Sequence, residues 1–252
     1  MDYSIRRVHD SGLRFYEVLQ GEEVIAKLPS VTTILSKTKD ESGLDEWKKK
    51  VGESEAKRIS TLSMNRGTVM HRLIELYKKT SGEPIERLNA LKELALDDTE
   101  VNQFKYEPDG ALFLEEGWKF FNKFWYNHAD YFDRVDRVLA AEEFLWTQKM
   151  GGWAGTVDNI SALMDGQIKI IDYKNSRKPK REDWIQDYFI QVGAYFIAYW
   201  DRYGIKADGA EIWIANEIDN LPQCFKLTQE DLEFYSKEFM HRRKMFKEKF
   251  NI

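Results

Sequence analysis

The sequence contains a single cysteine, Cys224, among 252 residues. One thiol forms no internal disulfide, and it cannot supply the several thiolates that hold an iron–sulfur cluster or a cysteine zinc site. The chain also lacks a run of about 18 apolar residues, the length that a membrane-spanning helix requires. Its first residues have neither the apolar centre of a signal peptide nor the acid-poor composition of a transit peptide. These absences predict a cytoplasmic protein with no iron–sulfur cluster and no membrane partner.

Large apolar and charged side chains are abundant. Hydrophobic residues make up 42% of the chain, aromatic residues 14% and charged residues 32%. This composition predicts a packed core beneath a charged surface rather than a disordered chain. The net charge of −5 by itself disfavours a nucleic-acid partner, because phosphates bind Lys and Arg. Basic residues are nevertheless concentrated in 174–181 and 241–249, and this distribution is compatible with DNA.

Turn residues and apolar periodicity predict a single α/β domain spanning 1–252. Residues 1–135 are expected to form a hairpin, at 14–18 and 22–28, followed by helices. A core of strands and one helix is expected in 136–220, with elements at 138–148, 152–164, 167–176, 183–204 and 210–217. A C-terminal helix is expected in 221–252, capped by Thr228.

Charged residues interrupt the apolar strands of this core. Strand alternation places Asp172 and Lys174 on the face of the core isoleucines, and it gives Asp158 the same face as Thr156 and Ile160. Burying a carboxylate costs several kcal/mol unless a cation or hydrogen bonds compensate. Two carboxylates beside one lysine offer the oxygen ligands that Mg²⁺ prefers. The alternative is a structural Asp–Lys pair at a strand end, and the spacing alone leaves both interpretations open.

Four short motifs occur in a particular order. An Arg-Gly step at 66–67 precedes His71 on a helix, and a Gly-x-x-Asp ends at Asp158. An Asp-x-Lys follows at 172–174, and then a Gln-x-x-x-Tyr at 191–195. Together these motifs resemble the PD-(D/E)XK nuclease superfamily, and more narrowly the RecB-like exonucleases, a group that includes mitochondrial genome maintenance and phage exonucleases. Two departures are Val157, where the signature has proline, and Asp172, where glutamate is commoner.

The resemblance implies a fold, an activity and a cofactor. The implied fold is a restriction-endonuclease-like αβββαβ core, a mixed central sheet flanked by helices, with an N-terminal helical and hairpin elaboration. The implied activity is a metal-dependent deoxyribonuclease that uses Mg²⁺ or Mn²⁺. It would be an exonuclease acting on single-stranded ends or flaps in DNA replication, recombination or repair, in a bacterial or phage-infected cell. The alternatives are a structure-selective endonuclease of the same fold and a non-catalytic nucleic-acid-binding relative.

The resemblance also implies the metal ligands, which are Asp158, Asp172, the Tyr173 carbonyl and His71. Lys174 would orient or activate the attacking water and offset charge on the phosphate. His71 could instead be a phosphate contact or a structural histidine. The family places a glutamate on the first core strand, where the spacing favours Glu142 over Glu143.

A further set of residues is implied to contact DNA, namely Arg66, Ser176, Arg177, Lys178, Lys180, Gln191 and Tyr195. Core packing of Tyr195 and a solvated basic face at 177–181 are the structural alternatives for members of this set. The aromatic residues of 113–134 are expected in the core, although exposed ones could stack on unpaired bases.

Overall fold

The N-terminal part of the protein folds into a small antiparallel sheet, in a computed structural model that describes residues 3–40 and 42–252. Its strands, in the order β1-β2-β3, are β1 (Ser4–Asp10), β2 (Leu13–Gln20) and β3 (Glu23–Pro29). The predicted hairpin corresponds to β2 and β3. Strand β1 is not evident from the sequence, because nearly all of its side chains are exposed and no apolar alternation marks it.

Five helices follow this sheet in the chain. They are α1 (Val31–Thr38), α2 (Ser42–Val51), α3 (Glu53–Lys78), α4 (Pro84–Asp97) and α5 (Gly110–Tyr126). Helix α1 begins after Ser30, whose hydroxyl accepts a hydrogen bond from the Thr33 amide at 3.0 Å. Gly52, with a φ of 87°, separates α2 from α3. Helix α3 therefore begins directly after this break.

The rest of the chain builds the central sheet. Its elements are β4 (Val135–Thr147), β5 (Trp153–Leu163), β6 (Ile168–Ser176), α6 (Gln186–Tyr203), β7 (Gly209–Asn216), β8 (Gln223–Thr228) and α7 (Gln229–Phe250). The five strands are adjacent in chain order. Only the β6–β7 pair is parallel, and α6 forms the crossover between these two strands. This mixed sheet flanked by helices confirms the predicted α/β fold.

Helices cover both faces of the central sheet. On one face, α3 and α5 pack on side chains such as Ile171 and Trp213. On the other face, α1, α6 and α7 pack on side chains such as Ile170 and Ile212. The aromatic residues of 113–134 lie almost entirely within the first of these layers, as expected for core residues. The Gly-x-x-Asp and Asp-x-Lys motifs thus lie on strands that are fixed from both sides.

The C-terminal segment differs from the predicted lone helix. Strand β8 extends the sheet from Gln223 to Thr228, and its alternation is obscured because this edge strand is only partly buried. Helix α7 then starts at the expected cap, where Thr228 and Asp231 form a reciprocal capping box. Within the described residues, no helix is long and apolar enough to span a membrane.

Candidate active site

The predicted carboxylates lie where two strands of the central sheet separate. Strands β5 and β6 are paired from Ala162 and Ile168 to Asn159 and Ile171. Asp158 and Asp172 are the next residues beyond the last pair. In place of a further ladder bond, the Tyr173 amide donates a hydrogen bond to Asp158 Oδ2 at 2.7 Å. We call this point the strand fork, defined by Asp158, Asp172 and Tyr173.

Strand β5 does not keep the alternation that the sequence predicts. Val157 and Ile160 are three residues apart, yet both belong to the core layer of α1, α6 and α7. The regular two-residue period is therefore broken between them, and Asp158 does not share the face of Ile160. This irregularity directs Asp158 toward α3, where it meets His71.

His71 projects from α3 into the strand fork. Its Nε2 lies 2.9 Å from the Tyr173 carbonyl oxygen. Because a carbonyl only accepts hydrogen bonds, this contact places the proton on Nε2. The Nδ1 atom then faces the carboxylates, at 3.6 Å from Asp158 Oδ1 and 3.9 Å from Glu142 Oε1. Burial lowers the pKa of His71, although Asp158 opposes this shift, so the ring is held neutral with a free lone pair on Nδ1.

Glu142 reaches the same point from β4 through an unusual backbone conformation. Its φ is 48°, in the left-handed region that a glutamate rarely adopts. Such strain costs about 1–3 kcal/mol and is concentrated at functional sites. The neighbouring Glu143 instead accepts a hydrogen bond from the Tyr203 hydroxyl at 2.9 Å. Burial and the nearby Asp158 raise the pKa of Glu142 to about 8.

The donor atoms of His71, Glu142 and Asp158 lie within 4.8 Å of one another. An unprotonated nitrogen and two carboxylates repel each other at this separation unless protons or a cation intervene. One nitrogen and several carboxylate oxygens form a donor set that suits Mn²⁺ and, through its oxygens, Mg²⁺. The residues present therefore fit a divalent cation.

At the strand fork, Asp172 is paired with Lys174, two residues further along β6. Asp172 is 1% exposed, and the Lys174 ammonium contacts its Oδ2 atom. From the residues that the structure describes, no well-oriented hydrogen bond reaches either carboxylate oxygen. Burial raises the pKa of Asp172 to about 7, against the lowering effect of Lys174. Burial thus outweighs the Lys174 contact, and this incompletely compensated carboxylate is the second observation that fits a metal.

Lys174 stays charged in this environment. Burial acts to lower its pKa, but Asp172 and Asp158 outweigh this effect and raise it. Its Nζ also lies 5.2 Å from the centroid of the Tyr188 ring. The ammonium is therefore a fixed positive charge at the edge of the strand fork, where it can approach a phosphate or a water molecule.

An open cleft of about 830 Å³ gives access to these groups. His71, Glu142, Tyr173 and Lys174 line it, together with Asn175 at the next position of β6. Its other walls come from β2, α1, α3 and the segment after α4. We call this the active-site cleft.

Two positioning residues in this region are not evident from the motifs. The Lys78 ammonium contacts the Tyr173 hydroxyl, and the Tyr173 ring packs edge-on against His71 with centroids 5.7 Å apart. Lys78 lies two helical turns after His71 on α3, and this spacing is the only signal of it in the sequence. Asn175 accepts a hydrogen bond from Arg66 Nε at 2.9 Å and donates one to the Ser63 carbonyl at 3.1 Å.

Arg66, which the resemblance implies as a DNA contact, lies inside the protein. Arg66 is 1% exposed, and its guanidinium pairs with Glu217 at 2.6 Å. It holds Asn175 and does not face solvent. The space beside the neighbouring Gly67 is filled by the side chain of Asn175. A Cβ at this position would lie 2.6 Å from Asn175 Nδ2.

Other predicted DNA contacts divide into internal and surface residues. Ser176 is 5% exposed, and its hydroxyl donates to the Lys178 carbonyl at 2.7 Å. Tyr195 is 3% exposed, packs on Gly155, and accepts a hydrogen bond from Gln191 at 3.3 Å. The Ser176 and Tyr195 side chains are therefore internal in this structure, and their contact with DNA stays a prediction. The surface residues are Arg177, Lys178 and Lys180, which line a second cleft.

Comparison with known proteins gives one family match. The family model of the PD-(D/E)XK nuclease superfamily matches residues 41–249. The comparison with curated proteins gives no match. Solved structures that resemble the chain include "Crystal structure of SSO0001", with a TM-score of 0.33 and 13% identity over 69% of this chain and 84% of that chain. A structural similarity this low says nothing about activity. The family match, in contrast, includes α3, the strand fork and Lys174, and the chain belongs to the PD-(D/E)XK nuclease superfamily, whose members are metal-dependent nucleases.

Proposed function

We propose that the protein is a RecB-like DNA exonuclease that hydrolyses phosphodiester bonds at single-stranded ends or flaps, in DNA replication, recombination or repair. The observation that carries this proposal is the strand fork. It brings together an unprotonated histidine nitrogen, three carboxylates and one charged lysine beside an open cleft. A protein that only binds nucleic acid has no use for such carboxylates, because they repel phosphate in the absence of a metal.

His71, Glu142 and Asp158 would hold the cation, which is Mg²⁺ or Mn²⁺, and Asp172 offers two further oxygens at the same fork. When bound, the cation supplies Lewis-acid polarisation of the phosphate and lowers the pKa of coordinated water. The Tyr173 carbonyl, which the resemblance predicts as a further ligand, accepts a hydrogen bond from His71 Nε2 on the side of the ring away from Nδ1. It would bind the cation only if His71 gave up this contact.

Lys174 has a separate task in this proposal. Its ammonium is held charged by Asp172 and Asp158, so it can donate a hydrogen bond to a phosphate oxygen and offset negative charge that develops there. It can also orient the attacking water by the same donor. The contact with Asp172 fixes the lysine side chain, which would otherwise have to lose conformational freedom when substrate binds.

Cleavage of linear and circular DNA tests this proposal. End-labelled linear single strands, linear duplexes and circular single strands would be incubated with Mg²⁺, with Mn²⁺ and with EDTA. The proteins would be the wild type, Lys174→Ala and Lys169→Ala. Lys169 is a matched control on the same strand, since its side chain reaches the Asp208 carbonyl away from the cleft.

We expect the wild type and Lys169→Ala to digest linear single strands in the presence of a metal only, and Lys174→Ala to be inactive. Cutting of circles would instead assign a structure-selective endonuclease of the same fold. Binding without cleavage under any condition would refute the nuclease proposal and leave a DNA-binding relative.

A further inference from the structure

A second cleft, of about 850 Å³, adjoins the active-site cleft. Both clefts are lined by Ser63, Met64 and Asn175, so they form one continuous depression. Tyr188 lines the second cleft, and its ring lies 5.2 Å from the Lys174 ammonium of the first. We call it the Trp184 cleft. Its lining residues are Trp47, Ile59, Ser60, Ser63, Met64, Asn175, Ser176, Arg177, Lys178, Pro179, Lys180, Trp184 and Tyr188.

The two clefts differ in charge. The active-site cleft includes the carboxylates of Glu75, Glu100 and Glu142. The Trp184 cleft has three cations, Arg177, Lys178 and Lys180, and no carboxylate among those of its lining residues that the structure describes. This charge is complementary to a phosphate backbone that leads away from the metal ligands.

The basic loop of the Trp184 cleft is held in place by hydrogen bonds. Gln223 of β8 accepts from the Lys180 amide at 2.7 Å and donates to the Lys180 carbonyl at 2.9 Å. The Ser176 hydroxyl donates to the Lys178 carbonyl at 2.7 Å. The three cations are therefore presented by a preformed loop, and little conformational entropy is lost when they bind phosphates.

Aromatic side chains stand over this loop. Trp184 is 61% exposed. A large apolar surface, which would be more stable if it were buried, is therefore left in contact with water. The Arg181 guanidinium lies 5.4 Å from the centroid of its ring. Trp47 of α2 and Tyr188 of α6 line the same cleft, so aromatic rings come from three separate segments. Cations interleaved with accessible aromatic rings are the features that bind single strands, because every base has a π face.

From these features we infer that the Trp184 cleft holds the single-stranded DNA segment adjoining the scissile phosphate. Unpaired bases stack on Trp184 and Trp47, while Arg177 and Lys178 contact the backbone phosphates. Stacking does not depend on base identity, so the cleft selects single strands over duplex without selecting sequence. The inference rests on the proposed function for the position of the scissile phosphate, but the binding itself can be tested without cleavage.

The test is the affinity for fluorescein-labelled DNA, measured by fluorescence anisotropy in EDTA. The ligands are an oligothymidylate of about 16 nucleotides, which is long enough to fill a single-strand groove, an abasic strand of the same length, and a duplex. The variant is Trp184→Ala. Trp200→Ala is the matched control, since Trp200 is 46% exposed and has the Lys206 ammonium 4.4 Å from its ring centroid, yet lines neither cleft.

We expect Trp184→Ala to weaken oligothymidylate binding by roughly 5- to 150-fold, the effect of losing one base stack. Binding of the abasic strand and of the duplex should change little, and Trp200→Ala should match the wild type. Because Trp184 is exposed, its truncation should leave the melting temperature unchanged.

The inference is overturned if Trp184→Ala binds oligothymidylate like the wild type, or if the abasic strand loses as much affinity as the oligothymidylate. Equal losses in Trp200→Ala would also overturn it. These outcomes are separate from the nuclease proposal. A wild type that binds single strands through Trp184 but never cleaves refutes the proposed function alone, whereas cleavage with unchanged binding by Trp184→Ala refutes this inference alone.

Discussion

Replacing Asp172 by asparagine should abolish cleavage and yet protect the metal-free protein from the loss of stability that rising pH causes in the wild type. Asp172 is 1% exposed, and burial raises its pKa from 3.8 to about 7 in spite of the Lys174 ammonium. The folded state therefore binds a proton more tightly than the unfolded state. The resulting stabilisation is complete below the unfolded pKa and is lost as the pH rises through the folded pKa. Asparagine resembles the protonated carboxyl and does not titrate.

The size of this effect follows from the shift in the pKa of Asp172. A difference of about 3 pKa units corresponds to about 4 kcal/mol at 1.36 kcal/mol per unit. Integration over pH puts about 2–3 kcal/mol of this loss between pH 5 and pH 8. For a chain of this length, that energy corresponds to roughly 5–10 °C in melting temperature.

Urea unfolding of the wild type and Asp172→Asn in EDTA, at pH 5 and pH 8, measures this difference. We expect the free energy of unfolding of the variant to gain about 2–3 kcal/mol on that of the wild type between the two pH values. Asp136→Asn is the control, because Asp136 is exposed on β4. Added Mn²⁺ should stabilise the wild type at pH 8 more than it stabilises Asp172→Asn, which keeps the other donors. Parallel pH profiles of the wild type and Asp172→Asn would refute the argument that this carboxylate is buried without a sufficient partner.

Three further substitutions test other parts of the site. Lys174→Arg should lower kcat by about 10²–10³ with little change in KM, since a planar guanidinium does not reproduce the lysine contact with Asp172; equal kcat values for the two proteins would contradict this role. Glu142→Gly should relieve the strain of the positive φ and raise the free energy of unfolding by about 1 kcal/mol. The same variant should bind Mn²⁺ more weakly in calorimetry, and an unchanged Mn²⁺ affinity would show that Glu142 is not a ligand. Gly67→Ala should displace Asn175, which the new Cβ would approach to 2.6 Å, and lower the free energy of unfolding by about 1–3 kcal/mol, measured as a lower melting temperature. A variant that melts and cleaves like the wild type would show that Asn175 is not held there.

Much of the central sheet could be predicted because its signals are local. Turn residues and apolar strands place β4 to β7 close to their observed bounds. Asp172 and Lys174 interrupt an otherwise apolar strand, and this pattern also predicts their burial beside the core. Strand β8 is not evident, because it is a half-exposed edge strand that begins with Gln223 and Cys224.

The errors at the site come from interactions between distant residues. Arg66 looks like a surface cation, and nothing near it in the sequence shows that Glu217 pairs with it across 151 positions. The alternation rule fails at Asp158 because β5 breaks its period there, and it could not decide between Glu142 and Glu143. That choice depends on one positive φ, which the sequence does not signal for a glutamate.

Anomalous diffraction from a crystal soaked in Mn²⁺ tests the central claim most directly, because it locates the metal without reference to activity. The account predicts a peak at the strand fork, in contact with Asp158 and with His71 or Glu142 of the donor cluster. A fully occupied Mn²⁺ site elsewhere, with no density between these side chains, would contradict the assignment of this fork as the metal centre of the nuclease.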